Sequence, residues 1–117
     1  MIKVYTYKKC STCRKATQWL SSQGFEFDER AIRDTPPTKK ELETMLKAYE
    51  GELRKLFNTS GLDYRAQNLK DKLSSMSKLE AFQLLSENGN FVKRPFLLSD
   101  SLNAVGFKEA DWSVALS

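Results

Sequence analysis

The opening stretch limits the fold most, because its hydrophobic period changes twice. Lys3 to Tyr7 alternates, with Ile2, Val4 and Thr6 on one face, and its β-branched and aromatic residues favour a strand. From Arg14 to Ser22 the period lengthens: Cys13, Ala16, Trp19 and Leu20 recur at helical spacing, and Gly24 supplies a terminator. Phe25 to Ile32 returns to strand-like alternation through Phe25, Phe27 and Ile32. The prediction is a β-α-β unit with a short crossover helix, which commits the chain to a sheet with a parallel pair in it.

Further along, Pro36-Pro37 breaks the chain. Thr38 and Glu41 then make a capping box for a helix whose apolar face is Leu42, Met45, Leu46 and Tyr49 and which ends near Gly51. A helical stretch with Leu53, Leu56 and Phe57 leads to a loop at Asn58-Thr59-Ser60-Gly61. A second capping box, Ser77 with Glu80, opens a helix with Leu79, Phe82 and Leu85 at spacing three, stopped by Asn88-Gly89-Asn90. Phe91 to Leu98 reads as a strand interrupted by Pro95. Asp100-Ser101 marks a turn, Ala104 and Val105 a short strand that closes a hairpin, and Glu109 to Leu116 a last helix. Parallel and hairpin connections together give an α/β fold with a mixed sheet flanked by helices.

The length of 117 residues suits one domain. No apolar run is long enough for a spanning helix, and no signal-peptide core follows the first lysine, so a cytoplasmic location is the expectation. The chain has no histidine. That removes the usual general base, the partner of a catalytic Ser or Cys, and the commonest metal ligand. With only two cysteines, a closed zinc site would need carboxylates to complete it, so no metal is expected. The net charge of +4 is spread through the chain without a basic stripe interleaved with aromatics, and no direct nucleic-acid binding is expected.

Those two cysteines lie in Cys10-Ser11-Thr12-Cys13, at the turn from the first strand into the first helix. A thiolate is the reactive form of cysteine, and the start of a helix stabilises it through the helix dipole and free backbone N–H groups. Lys8, Lys9, Arg14 and Lys15 add positive potential around Cys10. Cys13 lies one turn in, close enough to close a disulfide, so attack by Cys10 and resolution by Cys13 is the natural division of labour. The plain alternative is one exposed and one buried small residue, against which stands the redox signature of C-x-x-C beside a β-α-β pattern. Arg94-Pro95 also calls for a reason, since a proline inside a strand-like run belongs at a strand start or a cis peptide. In a thioredoxin-like arrangement a cis-proline loop faces the cysteine turn, where Arg94 would offer its donors to an oxyanion or a thiolate.

Tyr5-Thr6-Tyr7-Lys8-Lys9-Cys10-Ser11-Thr12-Cys13-Arg14-Lys15-Ala16, Thr35-Pro36-Pro37-Thr38, Leu56-Phe57-Asn58-Thr59-Ser60-Gly61, Lys93-Arg94-Pro95 and Val105-Gly106-Phe107-Lys108 together resemble the arsenate reductase-related family that includes the Spx regulators. The resemblance runs nearly end to end. It implies a single thioredoxin-like domain over residues 1–117 with a helical insertion at about 38–88. It also implies Cys10 as the attacking cysteine and Arg94 as one of three arginines that hold an oxyanion. Asn58 and Phe107 stand where the other two would be, with Lys108 next to Phe107. A lysine is a point charge that does not reproduce a bidentate clamp, which speaks against robust arsenate reduction.

Two functions follow from the resemblance. The first is an arsenate reductase-like thiol–disulfide oxidoreductase with Cys10, Cys13 and Arg94 as catalytic residues. Ser11, Thr12, Asn58, Pro95 and Lys108 would bind a small oxyanion or a thiol or disulfide substrate. It would hold no cofactor and take electrons from glutathione, glutaredoxin or thioredoxin. The second is an Spx-like regulator in which a Cys10–Cys13 disulfide switches binding to the C-terminal domain of the RNA polymerase α-subunit, with Gly51 where such regulators carry an interaction glycine.

Overall fold

The computed structural model describes residues 2–59 and 69–116. Strand β1 (Ile2–Thr6) leads to helix α1 (Ser11–Ser22) and strand β2 (Phe27–Ala31). Helix α2 (Lys39–Ala48), a 3-10 turn (Leu53–Leu56), helix α3 (Leu69–Leu73) and helix α4 (Lys78–Glu87) follow. A second 3-10 turn (Gly89–Phe91), strands β3 (Phe96–Leu98) and β4 (Asn103–Val105) and helix α5 (Glu109–Leu116) complete the described chain. The sheet order is β2-β1-β3-β4, parallel between β1 and β2 and antiparallel at the other two pairings. This is the mixed sheet flanked by helices that the sequence predicts.

Alternation along β1 and β3 divides the core between the two faces. Val4 and Leu97 turn to one side, where they meet Ala16 and Leu20 of α1 and Trp112 of α5. Tyr5 and Phe96 turn to the other, against Leu42, Met45 and Leu46 of α2 and Ala81, Phe82 and Leu85 of α4. Helix α1 buries Cys13, Ala16 and Leu20 and ends where Gly24, at φ +81°, lets the Phe25 N–H return to the Leu20 carbonyl.

Both halves of the predicted box form at Thr38: Glu41 N–H donates to the Thr38 hydroxyl, and Thr38 N–H donates to the Glu41 carboxylate. At Ser77 only one half forms. Glu80 N–H donates to the Ser77 hydroxyl, but the Glu80 carboxylate accepts from that same hydroxyl. One expected core residue is displaced, since Leu79 is 77% exposed. A spacing of three falls short of the helical repeat, so Leu79 sits about 60° round the helix beyond Phe82, outside the face set by Ala81, Phe82 and Leu85. The predicted strand from Phe91 begins only at Phe96, because Gly89–Phe91 is a 3-10 turn. Within the Asn58–Gly61 loop, Ser60 and Gly61 lie outside the described residues. No helix among the described residues is long and apolar enough to cross a membrane.

Candidate functional site

Parallel pairing brings the ends of β1 and β2 together, and the register of β3 adds a third segment to the same edge. Tyr5 pairs with Phe96, so Arg94-Pro95, just ahead of β3, lies beside the chain that runs out of β1. The Arg94–Pro95 peptide is cis. The Pro95 carbonyl accepts from Gly106 N–H at 2.8 Å, which brings the end of β4 to this edge as well.

Cys10 is the N-cap of α1. Its extended backbone (φ −92°, ψ 112°) ends the loop, its N–H donates to the Tyr7 carbonyl at 2.9 Å, and its Sγ accepts from Cys13 N–H at 3.3 Å. The sulfur thus takes the place a serine or aspartate oxygen commonly takes at a helix start. Burial acts upward on the Cys10 thiol. Hydrogen bonds from the Cys13 thiol and backbone, and the charge and hydrogen bond of the Arg94 guanidinium, outweigh it, so Cys10 ends below the ordinary thiol value. Cys13 goes the other way. Burial, then its hydrogen bond to Cys10, pushes its thiol up to about 12, although the Tyr7 backbone and Arg94 act downward. Both cysteines are free, Cys10 half-buried and Cys13 buried. These surroundings favour a thiolate at Cys10 over one at Cys13, with the two sulfurs in hydrogen-bond contact.

Of the residues singled out in the sequence, Cys10, Cys13 and Arg94 converge. Ser11 and Thr12 are exposed in the first turn of α1, where backbone N–H groups have no partner within the helix. Pro95 is buried in the segment that carries Arg94. Asn58 is half-buried and its N–H donates to the Phe91 carbonyl at 2.7 Å, while Lys93 N–H donates to the Leu56 carbonyl. Asn58 therefore lies alongside the approach to Arg94. Phe107 packs its ring on Trp112 at 4.7 Å and on Trp19 at 6.0 Å, an aromatic cluster that serves the core. Lys108 instead lines a cleft of about 780 Å³ with Arg54, Lys55 and Lys93, and that lining includes none of Cys10, Cys13 and Arg94. No group of three or more metal-ligating side chains occurs among the described residues.

Two neighbours of the site escaped the sequence reading. The Tyr7 ring carries the Arg94 guanidinium 5.1 Å from its centroid and that of Arg33 at 4.3 Å. The signal was the predicted β-α-β unit itself, since residues just past two adjacent parallel strands meet at one edge of the sheet.

A model described as the ArsC family matches residues 5–115. Among relatives, the uncharacterized protein YusI of Bacillus subtilis is 46% identical over 105 residues, covering 90% of this chain and 89% of its own. The global transcriptional regulator Spx of Listeria innocua is 28% identical, covering 93% of this chain and 82% of its own. Among solved structures, a possible arsenate reductase from Streptococcus mutans superposes with a TM-score of 0.87 at 38% identity, covering 97% of this chain and 98% of that one.

Proposed function

The chain belongs to the ArsC family, and on that premise we propose that it is a thiol–disulfide oxidoreductase with Cys10 as nucleophile and Cys13 as resolving cysteine. The observation that carries this reading is geometric: Cys10 Sγ caps α1, accepting from Cys13 N–H at 3.3 Å, while Cys13 is buried one turn behind it. Arg94 and the hydrogen bonds from Cys13 act downward on Cys10 and burial acts upward on Cys13, which suits an attacking and a resolving thiol.

The chemistry follows from this arrangement. The Cys10 thiolate attacks one sulfur of a substrate disulfide; the new bond forms as the old one breaks, and the leaving sulfur takes the electron pair and a proton. In the mixed disulfide Cys10 no longer carries charge, so its upward push on Cys13 ends and Cys13 gives up its proton more easily. Cys13 then attacks Cys10 and expels the second thiol. The substrate has gained two electrons, and the Cys10–Cys13 disulfide is returned to thiols by glutathione, glutaredoxin or thioredoxin. Arg94 stabilises the Cys10 thiolate between cycles, and the first-turn N–H groups beside Ser11 and Thr12 face incoming negative charge. With Asn58 and Phe107 in place of cations, arsenate is a poor substrate under this reading.

The test is turnover of a glutathionylated peptide, and separately of arsenate, by reduced protein with glutathione and glutaredoxin. Peptide reduction above that given by glutathione and glutaredoxin alone should exceed arsenate reduction and be lost in Cys10→Ser, and Cys13→Ser mixed with the peptide in the absence of glutathione and glutaredoxin should stop at the mixed disulfide. Absence of turnover with either substrate would refute it. The Spx relatives support a second reading, a regulator that meets the C-terminal domain of the RNA polymerase α-subunit only in one redox state. Disulfide-dependent binding of that domain without turnover would favour it. Gly51, at φ +83° with open space around it, has a sufficient role in turning the chain after α2.

A further inference from the structure

Tyr7 gathers two like charges on one ring. The Arg33 and Arg94 guanidinium carbons lie 4.3 and 5.1 Å from the centroid of its ring, so their separation cannot exceed the sum of the two distances. Three backbone segments hold this arrangement. Ile32 N–H donates to the Thr6 carbonyl at 2.8 Å, which fixes the start of the Arg33 segment against the end of β1. Gly89 approaches the Ile32 carbonyl so closely that a Cβ there would overlap it, so the turn that carries Asn90 packs directly on the backbone of Ile32 and Arg33. Arg94 in turn donates to the Asn90 carbonyl at 3.4 Å.

Neither arginine forms an ion pair among the described residues, where the pairs are Lys3 with Glu41, Arg30 with Asp28 and Lys78 with Glu43. Two cations on one ring with no ion pair among the described residues repel, and an anion placed beside both relieves that repulsion. The two also differ in what they do to the thiol. Arg94 is among the largest downward influences on Cys10, and Arg33 is not. Arg33 is exposed, so its charge beside the Tyr7 ring is open to solvent.

We propose that Arg33 is a specificity-determining residue, forming with Arg94 a two-guanidinium seat for a carboxylate carried beside the sulfur that Cys10 attacks. This rests on the reading of Cys10 as the nucleophile. A carboxylate is the chemistry a planar guanidinium fork matches. The two guanidiniums meet at the Tyr7 ring, just ahead of the cysteine loop, while Asn58 and Phe107 are uncharged. Such an arrangement recognises a group next to the reacting atom rather than charge spread around that atom.

The test compares two aromatic disulfides in single-turnover reaction with reduced protein: dithiobis(nitrobenzoate), which carries carboxylates, and neutral dithiodipyridine. In each, Cys10 forms one new S–S bond, the probe's S–S bond breaks and one aryl thiolate leaves. The readout is the ratio of the two rate constants, anionic over neutral, which divides out any change in the thiol itself. Arg33→Gln should lower the ratio about fivefold, and Arg33→Lys, which keeps the charge but not the fork, should restore only part of it. Arg30→Gln removes the same charge from the other end of this stretch and should leave the ratio unchanged. An unchanged ratio in Arg33→Gln, or an equal fall in Arg30→Gln, would overturn the proposal. Reaction of wild-type Cys10 with neither probe would instead refute the nucleophile reading and the seat with it.

Discussion

Cys10 and Cys13 are one residue type, one helical turn apart, and only their surroundings distinguish them. Cys10 caps α1 and meets Arg94; Cys13 is buried beneath it. Arg94→Gln removes a downward influence from Cys10, so its acidity should move back toward that of an ordinary thiol. Reaction with a neutral disulfide should then slow at neutral pH, where the thiolate is scarcer, and the deficit should close at alkaline pH, where the thiolate is complete in both proteins. A pH–rate profile checks this, and a deficit of equal size at every pH would show that Arg94 acts otherwise. At this scale Cys10, Cys13 and Arg94 were legible in the sequence, because a motif at a strand-to-helix turn and an arginine before an out-of-place proline are local signals. Arg33 and Tyr7 were not, because their meeting depends on which strand ends share an edge of the sheet.

Among the elements, α2 shows how a local cap becomes a tertiary joint. The Glu41 carboxylate that completes the capping box also accepts from the Tyr5 hydroxyl at 2.7 Å and from Lys3 Nζ at 2.8 Å, tying the start of α2 to β1. Burial acts upward on Glu41, but Lys3, Thr38 and Tyr5 together hold it below the ordinary carboxylate value of 4.5. Glu41 in turn raises Lys3 above 10.5. A depressed carboxylate contributes stability above its unfolded value and loses it as pH falls through the folded one. A raised lysine contributes below its unfolded value and loses it as pH rises. Glu41→Ala should therefore cost about 2 kcal/mol at neutral pH, from the lost cap and an unsatisfied Tyr5 hydroxyl. The difference from wild type should shrink in acid, below about pH 4.5, as urea titrations at several pH values would report. A pH-independent difference would assign the loss to packing. The box at Thr38 could be read directly, since a cap is written in neighbouring residues. The exposure of Leu79 and the late start of β3 could not, because apolar spacing does not say which face finds a partner.

For the whole molecule, a thioredoxin-like sheet buries one set of residues under α1 and α5 and another under α2 and α4, leaving one edge for chemistry. Four segments reach it: the end of β1, the end of β2, the cis-proline approach to β3 and the end of β4. The family's fold was legible because several short motifs occur in order along the chain. The side-chain packing was not, since Phe107 joins the Trp19 and Trp112 cluster and Arg33 meets Arg94 at the Tyr7 ring. The central claim is that this edge makes one thiol a nucleophile and reserves the other. Titration of the wild-type protein by thiolate absorbance tests it most directly. One thiolate should form below the ordinary value of 9.0, followed by a plateau and a second only near pH 12. Two thiols titrating together near 9.0 would contradict it.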